Sequence, residues 1–367
     1  MPDSIRIGII GCGVIGRSHI GCYRHIPGAT VVACASLDGA SARATAAEFA
    51  IPHSHAGYHE LVARDDVDAV DVCLHNNLHL PATLAALAAG KHVYCEKPLA
   101  GSYHDALSMV AAARRHRRML HVQLSLVFAN ETRAAKQLID AGELGELYHA
   151  RSSGFRRRGR PYVDGHGSPA FVRRRDAGGG ALLDMGVYHL TQLLYLLGNP
   201  EVATISGTTY QKTAMDAERA ARAGYDVEEL ALGLVRFANG ATLDLIEAWA
   251  MHLGSLDGSS LIGTRGGVRL SPFAFYRSLG ELDCDAQTDL GAARFRWNAV
   301  RGDGDDLGDT HRHWIAALLG RVPLLPTAEL ALAAMLISEG IYRSSQLRRE
   351  VAAAEVAEHS VSTALPG

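Results

Sequence analysis

The sequence predicts an α/β protein: an N-terminal doubly wound parallel sheet, then an α+β domain built on a large open, mainly antiparallel sheet. Three observations predict it. Residues 1–125 alternate short apolar runs with helical stretches, the rhythm of βαβ units. The first run meets a glycine-rich turn, Gly11-Cys12-Gly13-Val14-Ile15-Gly16, that opens directly onto a helix. Beyond residue 125 the pattern shifts to longer strands, and 367 residues exceed what one hydrophobic core usually organises. Domains at 1–125 and 126–350, with a tail at 351–367, are expected.

Taken in order, residues 5–10 read as the first strand and 17–26 as a helix, then 30–35 as a strand and 40–49 as an alanine-rich helix. Strands at 69–74, 91–95 and 119–124 follow, separated by helices around 80–89 and 103–116. Runs such as Val70-Asp71-Val72-Cys73-Leu74 are nearly continuous in apolar character, as a sheet covered on both faces requires. In the second domain a helix at 131–141 leads to a strand at 146–152, an Arg/Gly/Pro-rich loop, and a strongly apolar helix at 179–197. Long strands fill 202–270; those at 230–237 and 241–249 flank Asn239-Gly240, a hairpin signal because both residues tolerate positive φ. Helices at 309–319 and 327–347 come last, and the tail reads as loose chain.

Composition narrows the function. Hydrophobic residues at 48% and charged residues at 20% are ordinary for a globular protein and argue against disorder. A net charge of -3 gives no global pull toward nucleic acid or an anionic membrane, so neither is expected as a partner. No apolar run approaches the ~20 residues of a membrane span. Met1-Pro2-Asp3-Ser4 lacks the features of a secretory signal, so a cytoplasmic location is expected. Cys12, Cys22, Cys34, Cys73, Cys95 and Cys284 form no CxxC pair and no metal spacing with histidine; they read as reduced thiols, and no metal site is predicted.

The glycine turn carries the first functional signal. Gly11 permits the tight turn, Gly13 lets the backbone approach a pyrophosphate, and Gly16 allows close helix–strand packing. The helix that starts beside Val14 and Ile15 offers its N-terminus to phosphates. This is the dinucleotide-binding turn of a Rossmann domain. An acidic side chain ending the second strand would hold the ribose 2′-hydroxyl of NAD and repel the extra phosphate of NADP. Ser36 occupies the usual place of that acid and Asp38 lies two residues on. Asp38 favours NAD, but it reads equally well as the cap of the next helix, so NADP stays open.

Glu96-Lys97-Pro98 ends a buried strand, at the edge where doubly wound sheets bind ligands. A desolvated lysine there can transfer a proton or orient a hydroxyl. Pro98 confines Lys97 to extended conformations. Together with the glycine turn, Asn76, His79 and the stretch Gly178-Gly179-Gly180-Ala181-Leu182-Leu183-Asp184-Met185-Gly186-Val187-Tyr188, this segment belongs to a set that recurs in one order. From Ile5 to about Val351 the sequence resembles the glucose-fructose oxidoreductase / inositol dehydrogenase family (Gfo/Idh/MocA). The resemblance implies a nicotinamide cofactor and Lys97 as the catalytic lysine. It implies that Leu74, Asn76, His79, Glu96, Lys97 and Gln123 join the glycine turn, Ser36 and Asp38 in holding that cofactor. It further implies a Lys–Pro bond that is often cis, and a homodimer or homotetramer assembled through the second-domain sheet. The implied activity is hydride transfer between nicotinamide and a hydroxyl or keto group of a sugar, sugar derivative or cyclitol. An NAD-dependent glycoside hydrolase and a non-enzymatic cofactor sensor are the alternatives on the same scaffold.

The helix at 179–197 supplies the other half of the expected site. Against its apolar background Asp184, Tyr188 and Thr191 fall at i, i+4 and i+7, on one stripe. A carboxylate there needs a partner, which a lysine from the facing domain would supply. Lys97, Asp184 and Tyr188 are therefore the expected catalytic groups. Tyr188 stands where the inositol dehydrogenases carry histidine, and matches the tyrosine of the glucose-fructose oxidoreductase branch. His189 is turned by about 100° and leaves the stripe unless a local bulge rotates the helix, in which case it is the alternative to Tyr188 as acid/base group; it is also kept as a substrate contact, with Arg158 and His166 of the preceding loop. That loop and its flank hold Arg156, Arg157, Arg158, Arg160, Arg173, Arg174 and Arg175. Such a cluster suits a phosphate or carboxylate, while the plainer reading is a solvated or subunit-bridging loop. Leu126 and Val127 stand where many relatives have arginines. His311 and His313 open a helix and read either as approaching the cleft or, more plainly, as surface residues.

Overall fold

The computed structural model describes residues 4–165, 167–301 and 306–366. The chain divides into two units, one of Met1–Gln123, Asp306–Glu329 and Ser362–Gly367, the other of Leu124–Asp305 and Leu330–Val361. Among the described residues no helix is long and apolar enough to cross a membrane.

In the first unit, apolar runs become strands and the stretches between them become helices, in the order β1 (Ile5–Ile10), α1 (Val14–Tyr23), β2 (Ala29–Ala35), α2 (Gly39–Phe49), β3 (His53–His55), α3 (Tyr58–Val62), β4 (Ala69–Val72), α4 (His79–Ala88), β5 (His92–Cys95), α5 (Tyr103–His116) and β6 (Leu120–Val122). The sheet runs β3-β2-β1-β4-β5-β6, parallel at every pairing. Fully buried Ile7, Ile9, Val70, Val72 and Val93 show it covered on both faces. The expected strands and helices are present, with ends moved by up to three residues. Helix α1 starts at Val14 rather than 17, because it begins as soon as the glycine turn releases the chain. β3 and α3, of 3 and 5 residues, are too short for any period to register in the sequence.

Strand order reverses between β1 and β4, the switch point at which such sheets bind ligands. Ile10 is level with Ala35 and Val72, Val72 with Cys95, and Cys95 with Val122. Consequently Gly11, Ser36, Cys73, Glu96 and Gln123 all begin loops on one edge of the sheet.

The second unit contains α6 (Asn130–Asp140), β7 (Leu147–Phe155), α7 (Arg174–Ala177), α8 (Val187–Leu197), β8 (Val202–Tyr210), α9 (Ala217–Ala223), β9 (Leu230–Phe237), β10 (Thr242–Ala248), β11 (Ser260–Gly263), β12 (Gly267–Leu270), β13 (Phe273–Leu279), β14 (Leu282–Gln287) and α10 (Leu290–Arg301). The chain then returns to the first unit as α11 (Thr310–Leu318), crosses within α12 (Thr327–Leu347), and continues as β15 (Val351–Ala352) and α13 (Ala353–His359). Nine strands form one sheet, β14-β13-β12-β11-β7-β10-β9-β8-β15. Only β7 with β10 is parallel. The β9–β10 hairpin forms at Asn239-Gly240, but only Gly240 takes positive φ (88°); Asn239 instead accepts a hydrogen bond from the Ala241 amide at 3.1 Å.

Three expectations need correction. The helix expected at 179–197 begins later, with Gly179 and Gly180 outside it, and is not α-helical throughout: a π-helical turn over Leu182–Gly186 feeds α8. The tail is not loose. It adds β15 and α13, and then the Thr363 amide donates to Asp105 Oδ2 at 2.9 Å and the Leu365 amide to the Asn77 carbonyl at 2.8 Å. His311 and His313 are not surface residues, being 5% and 1% exposed. His311 stacks on Tyr94 with centroids 4.9 Å apart, so the face of α11 that carries it is an inner face.

Candidate functional site

The residues expected to hold the cofactor lie within the first unit. Gly11 has φ 107°, and a Cβ there would stand 2.2 Å from the Cys73 carbonyl oxygen. A Cβ at Gly16 would stand 1.9 Å from the Gly11 carbonyl oxygen, so both glycines are demanded by the turn itself. Gly13 differs: nothing lies within 4 Å of its Cβ position. The open space stands at the start of α1, which has no side-chain cap and no acidic residue in its first turn. Val14 and Ile15 at that helix start are 84% and 46% exposed. Gln123 Oε1 is buried and has no hydrogen-bond partner among the described residues. A phosphate cradle with an uncapped helix end and an orphaned acceptor on the same sheet edge fits a dinucleotide. Asp38 caps α2, its carboxylate accepting from the Ala40 and Ser41 amides at 3.1 and 3.3 Å.

Beside this cradle, the loop after β5 is fixed from several sides. The Lys97–Pro98 bond is cis. Glu96 Oε2 accepts the Lys97 amide at 2.9 Å, and Glu96 Oε1 lies 3.0 Å from His19 Nε2. His79, expected to touch the cofactor, is fully buried instead; its ring meets the carbonyls of Pro98 at 3.0 Å and Leu74 at 3.1 Å. It ties the start of α4 to the lysine loop. Asn76 and Leu74 are half-buried on the loop that leaves β4.

The remaining expected site residues lie within the second unit. Asp184 Oδ2 accepts from Trp249 Nε1 at 2.9 Å, and Arg156 Nη1 is 4.0 Å away. His189 Nδ1 is 3.0 Å from Oε1 of Glu247, which also accepts from Ser152 Oγ at 2.7 Å. Burial disfavours charge on His189, but the Glu247 carboxylate outweighs it and holds the imidazole above its ordinary range. Glu247 and Trp249 are alternate residues on the helix-covered side of β10 and its extension. One strand thus fastens both Asp184 and His189. The π-helical turn lies just ahead of α8, within the segment that carries Asp184. Tyr188 is half-buried on α8, while Thr191 turns inward and donates to its own helix at the Val187 carbonyl, 2.7 Å away.

Glu228 and Tyr342 were not legible as part of this assembly. Fully buried Glu228 receives the Gly180 amide at 2.9 Å, the Leu182 amide at 3.1 Å and the Tyr342 hydroxyl at 2.8 Å. It caps the segment carrying Asp184 from outside the helix. A Cβ at Gly180 would stand 2.0 Å from the Glu228 carbonyl oxygen, which explains a glycine there. Burial pushes the Glu228 carboxyl up despite these donors. The inward positions of Glu247 and Trp249 did have a signal, the alternation Leu243, Leu245, Glu247, Trp249 along one strand.

The arginine-rich loop is largely self-paired. Arg160 is buried, its guanidinium meeting Asp164 at 2.7 Å and Glu229 at 2.9 Å. Arg158 is exposed and donates to Asp164 at 3.1 Å. Arg173 pairs with Asp176 at 2.8 Å. His166 lies outside the described residues. All six cysteines are free thiols.

Known proteins match this architecture throughout. Residues 5–124 match the model of an oxidoreductase family with an NAD-binding Rossmann fold (GFO_IDH_MocA), and residues 132–269 match its C-terminal domain. The chain is 30% identical over 280 residues to the D-glucoside 3-dehydrogenase of Escherichia coli (strain K12), covering 74% of this chain and 78% of that one. It is 32% identical over 268 residues to the 1,5-anhydro-D-fructose reductase of Ensifer adhaerens, covering 72% and 74%. The crystal structure of an NAD binding oxidoreductase from Klebsiella pneumoniae superposes with a TM-score of 0.79 at 25% identity, over 95% of this chain and 99% of that one. A levoglucosan dehydrogenase bound to NADH and levoglucosan shares the fold, with a TM-score of 0.79 at 19% identity over 95% and 99%. With both family domains matched, and the glycine cradle and strand-end lysine in place, this chain is an oxidoreductase of the Gfo/Idh/MocA family.

Proposed function

We propose that the protein transfers a hydride between a nicotinamide cofactor and a hydroxyl or keto carbon of a sugar, sugar derivative or cyclitol. The observation that carries this reading is Lys97 held at the C-terminal edge of the parallel sheet, two strands from the glycine cradle. Relatives named as a glucoside dehydrogenase, an anhydrofructose reductase and an inositol 2-dehydrogenase support the substrate class.

When bound, the nicotinamide supplies or accepts the hydride. The proposed task of this chain's residues is to move the accompanying proton. In oxidation, Tyr188 takes the hydroxyl proton with Lys97 assisting, and Asp184 orients the pair; in reduction the same groups return a proton to the carbonyl oxygen. Trp249 aims Asp184 by donating to it. NAD is favoured over NADP because Asp38 puts a carboxylate just beyond the end of β2. A homodimer or homotetramer in the cytoplasm completes the proposal, and light scattering tests the assembly.

The test is a panel of sugars, cyclitols and keto-sugars with NAD and NADP in both directions, read at the absorbance of reduced nicotinamide. Turnover with at least one member is expected, and Lys97→Met should reduce it by about 10³-fold or more with cofactor affinity kept. Absence of turnover across the panel, or wild-type turnover by Lys97→Met, overturns the assignment.

A further inference from the structure

The first unit buries a group of charged and titratable side chains that the proposed chemistry does not use. His19, on α1, is 5% exposed and spends both ring nitrogens on carboxylates: Nδ1 on Asp71 Oδ2 at 2.9 Å, Nε2 on Glu96 Oε1 at 3.0 Å. Asp71, on β4, is fully buried and also accepts the Tyr23 hydroxyl at 2.9 Å and the Cys73 thiol at 3.3 Å. The rings of Tyr94 and His311 stand edge-on to His19 at 5.7 and 4.4 Å. A ring that meets a carboxylate at each nitrogen donates twice, which a neutral imidazole cannot do. Burial opposes the charge, but the Asp71 carboxylate outweighs it and holds His19 above its ordinary range. Burial and the nearby His19 charge instead push His311 down to about 4, leaving it neutral.

We infer that His19 is a positioning residue of the reaction: a permanent buried imidazolium that joins the dinucleotide-binding helix to the Glu96 carboxylate and thereby sets both the place and the electrostatics of Lys97. The chain of contacts is short. His19 holds one oxygen of Glu96, and the other oxygen holds the Lys97 amide at 2.9 Å. The same ring sits on the helix that opens at the glycine cradle. Its positive charge balances Glu96, so the carboxylate next in sequence to Lys97 does not act on the lysine as a bare anion. The inference rests on the proton-handling role given to Lys97.

His19, Asp71 and His311 also place three possible ligand atoms within 4.8 Å of one another. With both His19 nitrogens already engaged as donors, the geometry is that of an ion pair rather than a metal cage.

The test uses the full chain and the sugar or cyclitol it turns over best. His19→Gln removes the charge and keeps a single donor. It should lower kcat by about tenfold or more, leave the KM for sugar within about threefold, and move the acid limb of kcat/KM upward by about half a pH unit or more. Glu96→Gln removes the opposing charge and should move that limb the other way. Tyr23→Phe deletes a hydrogen bond to the same Asp71 without altering charge; its limb should stay in place, which separates electrostatics from loosened packing. Independently of turnover, nitrogen NMR of the wild-type imidazoles should show one histidine, absent in His19→Gln, with both nitrogens protonated at about pH 9. A neutral His19 ring at that pH, a His19→Gln profile that superposes on wild type, or a stoichiometric divalent metal lost on His311→Ala each overturns the inference. If His19→Gln does not fold, Glu96→Gln and the NMR measurement decide. Wild-type activity in Lys97→Met would instead remove the catalytic reading and leave the His19 charge state standing.

Discussion

At the scale of single residues, the polar cluster of the second unit depends on side chains that a stripe of helix positions does not reveal. Asp184 is held by the indole of Trp249, and Trp249→Phe removes that N–H donor together with part of a buried bicyclic ring. Hydrogen bonds to charged groups are worth about 1.5–3 kcal/mol. Steady-state kinetics of Trp249→Phe should therefore show kcat/KM reduced by about 10-fold or more, alongside the stability cost of a smaller ring in a buried site; an unchanged kcat/KM would remove Asp184 from the proton path. His189 and Glu247 make a second test. Truncating His189 to leucine leaves fully buried Glu247 with Ser152 and no counter-charge, a loss of about 3–5 kcal/mol for a broken buried pair. The sign with pH follows from the raised imidazole. Its stabilisation is complete below the ordinary 6.5 and fades as pH rises through the higher folded value. The gap between wild type and His189→Leu in urea unfolding should thus narrow at alkaline pH.

At the scale of elements, the βα turn separates what folding needs from what binding needs. A methyl at Gly16 would meet the Gly11 carbonyl at 1.9 Å, whereas a methyl at Gly13 would meet nothing within 4 Å. Gly13 also has an ordinary φ of -74°. Gly16→Ala should lose about 1–3 kcal/mol of stability. Gly13→Ala should unfold like wild type, within about 0.5 kcal/mol, yet bind NADH about tenfold or more weakly, because its methyl projects into the phosphate space. Fluorescence titration beside thermal melts reads both; equal NADH affinity in Gly13→Ala would place the phosphates elsewhere. This turn was legible because three glycines, a strand and a helix all serve one local geometry. The π-helical turn was not. Its cause is tertiary: Glu228 caps it from across the fold, and Trp249 and Glu247 hold its far side. Leu182 to Leu197 therefore carries an ordinary helical pattern, and the stripe of Asp184, Tyr188 and Thr191 drawn from it fails at Thr191, which folds back on its own carbonyls.

At the scale of the molecule, local periodicity yielded the parallel sheet and most of its helices, while the returns of the chain stayed hidden. Residues 306–329 and 362–367 belong with the first unit, although nothing in their composition marks them as such. His311 shows why: a histidine opening a helix looks solvated until β5 is found against it, where Tyr94 stacks on the ring. That returning segment gives the first unit a pH dependence of predictable sign. Burial pushes His92 and His311 down to about 4, and holds His121, between Thr310 and Thr327, well below its ordinary range. Unfolding lets each regain its ordinary 6.5, so the unfolded chain binds more protons and stability falls as pH drops from about 6.5 toward 4. His19 acts in the opposite sense, but its raised value places that loss on the alkaline side. His311 Nε2 has no hydrogen-bond partner among the described residues, so His311→Phe removes a titrating group while sacrificing no bond at that atom and keeping a ring to stack on Tyr94. Amide exchange of α11 followed between about pH 7 and pH 4 should show wild-type protection falling more steeply than that of His311→Phe. Parallel slopes would mean that the ring is already protonated in the folded protein, and that the neutral, buried His311 beside the His19 imidazolium is misassigned.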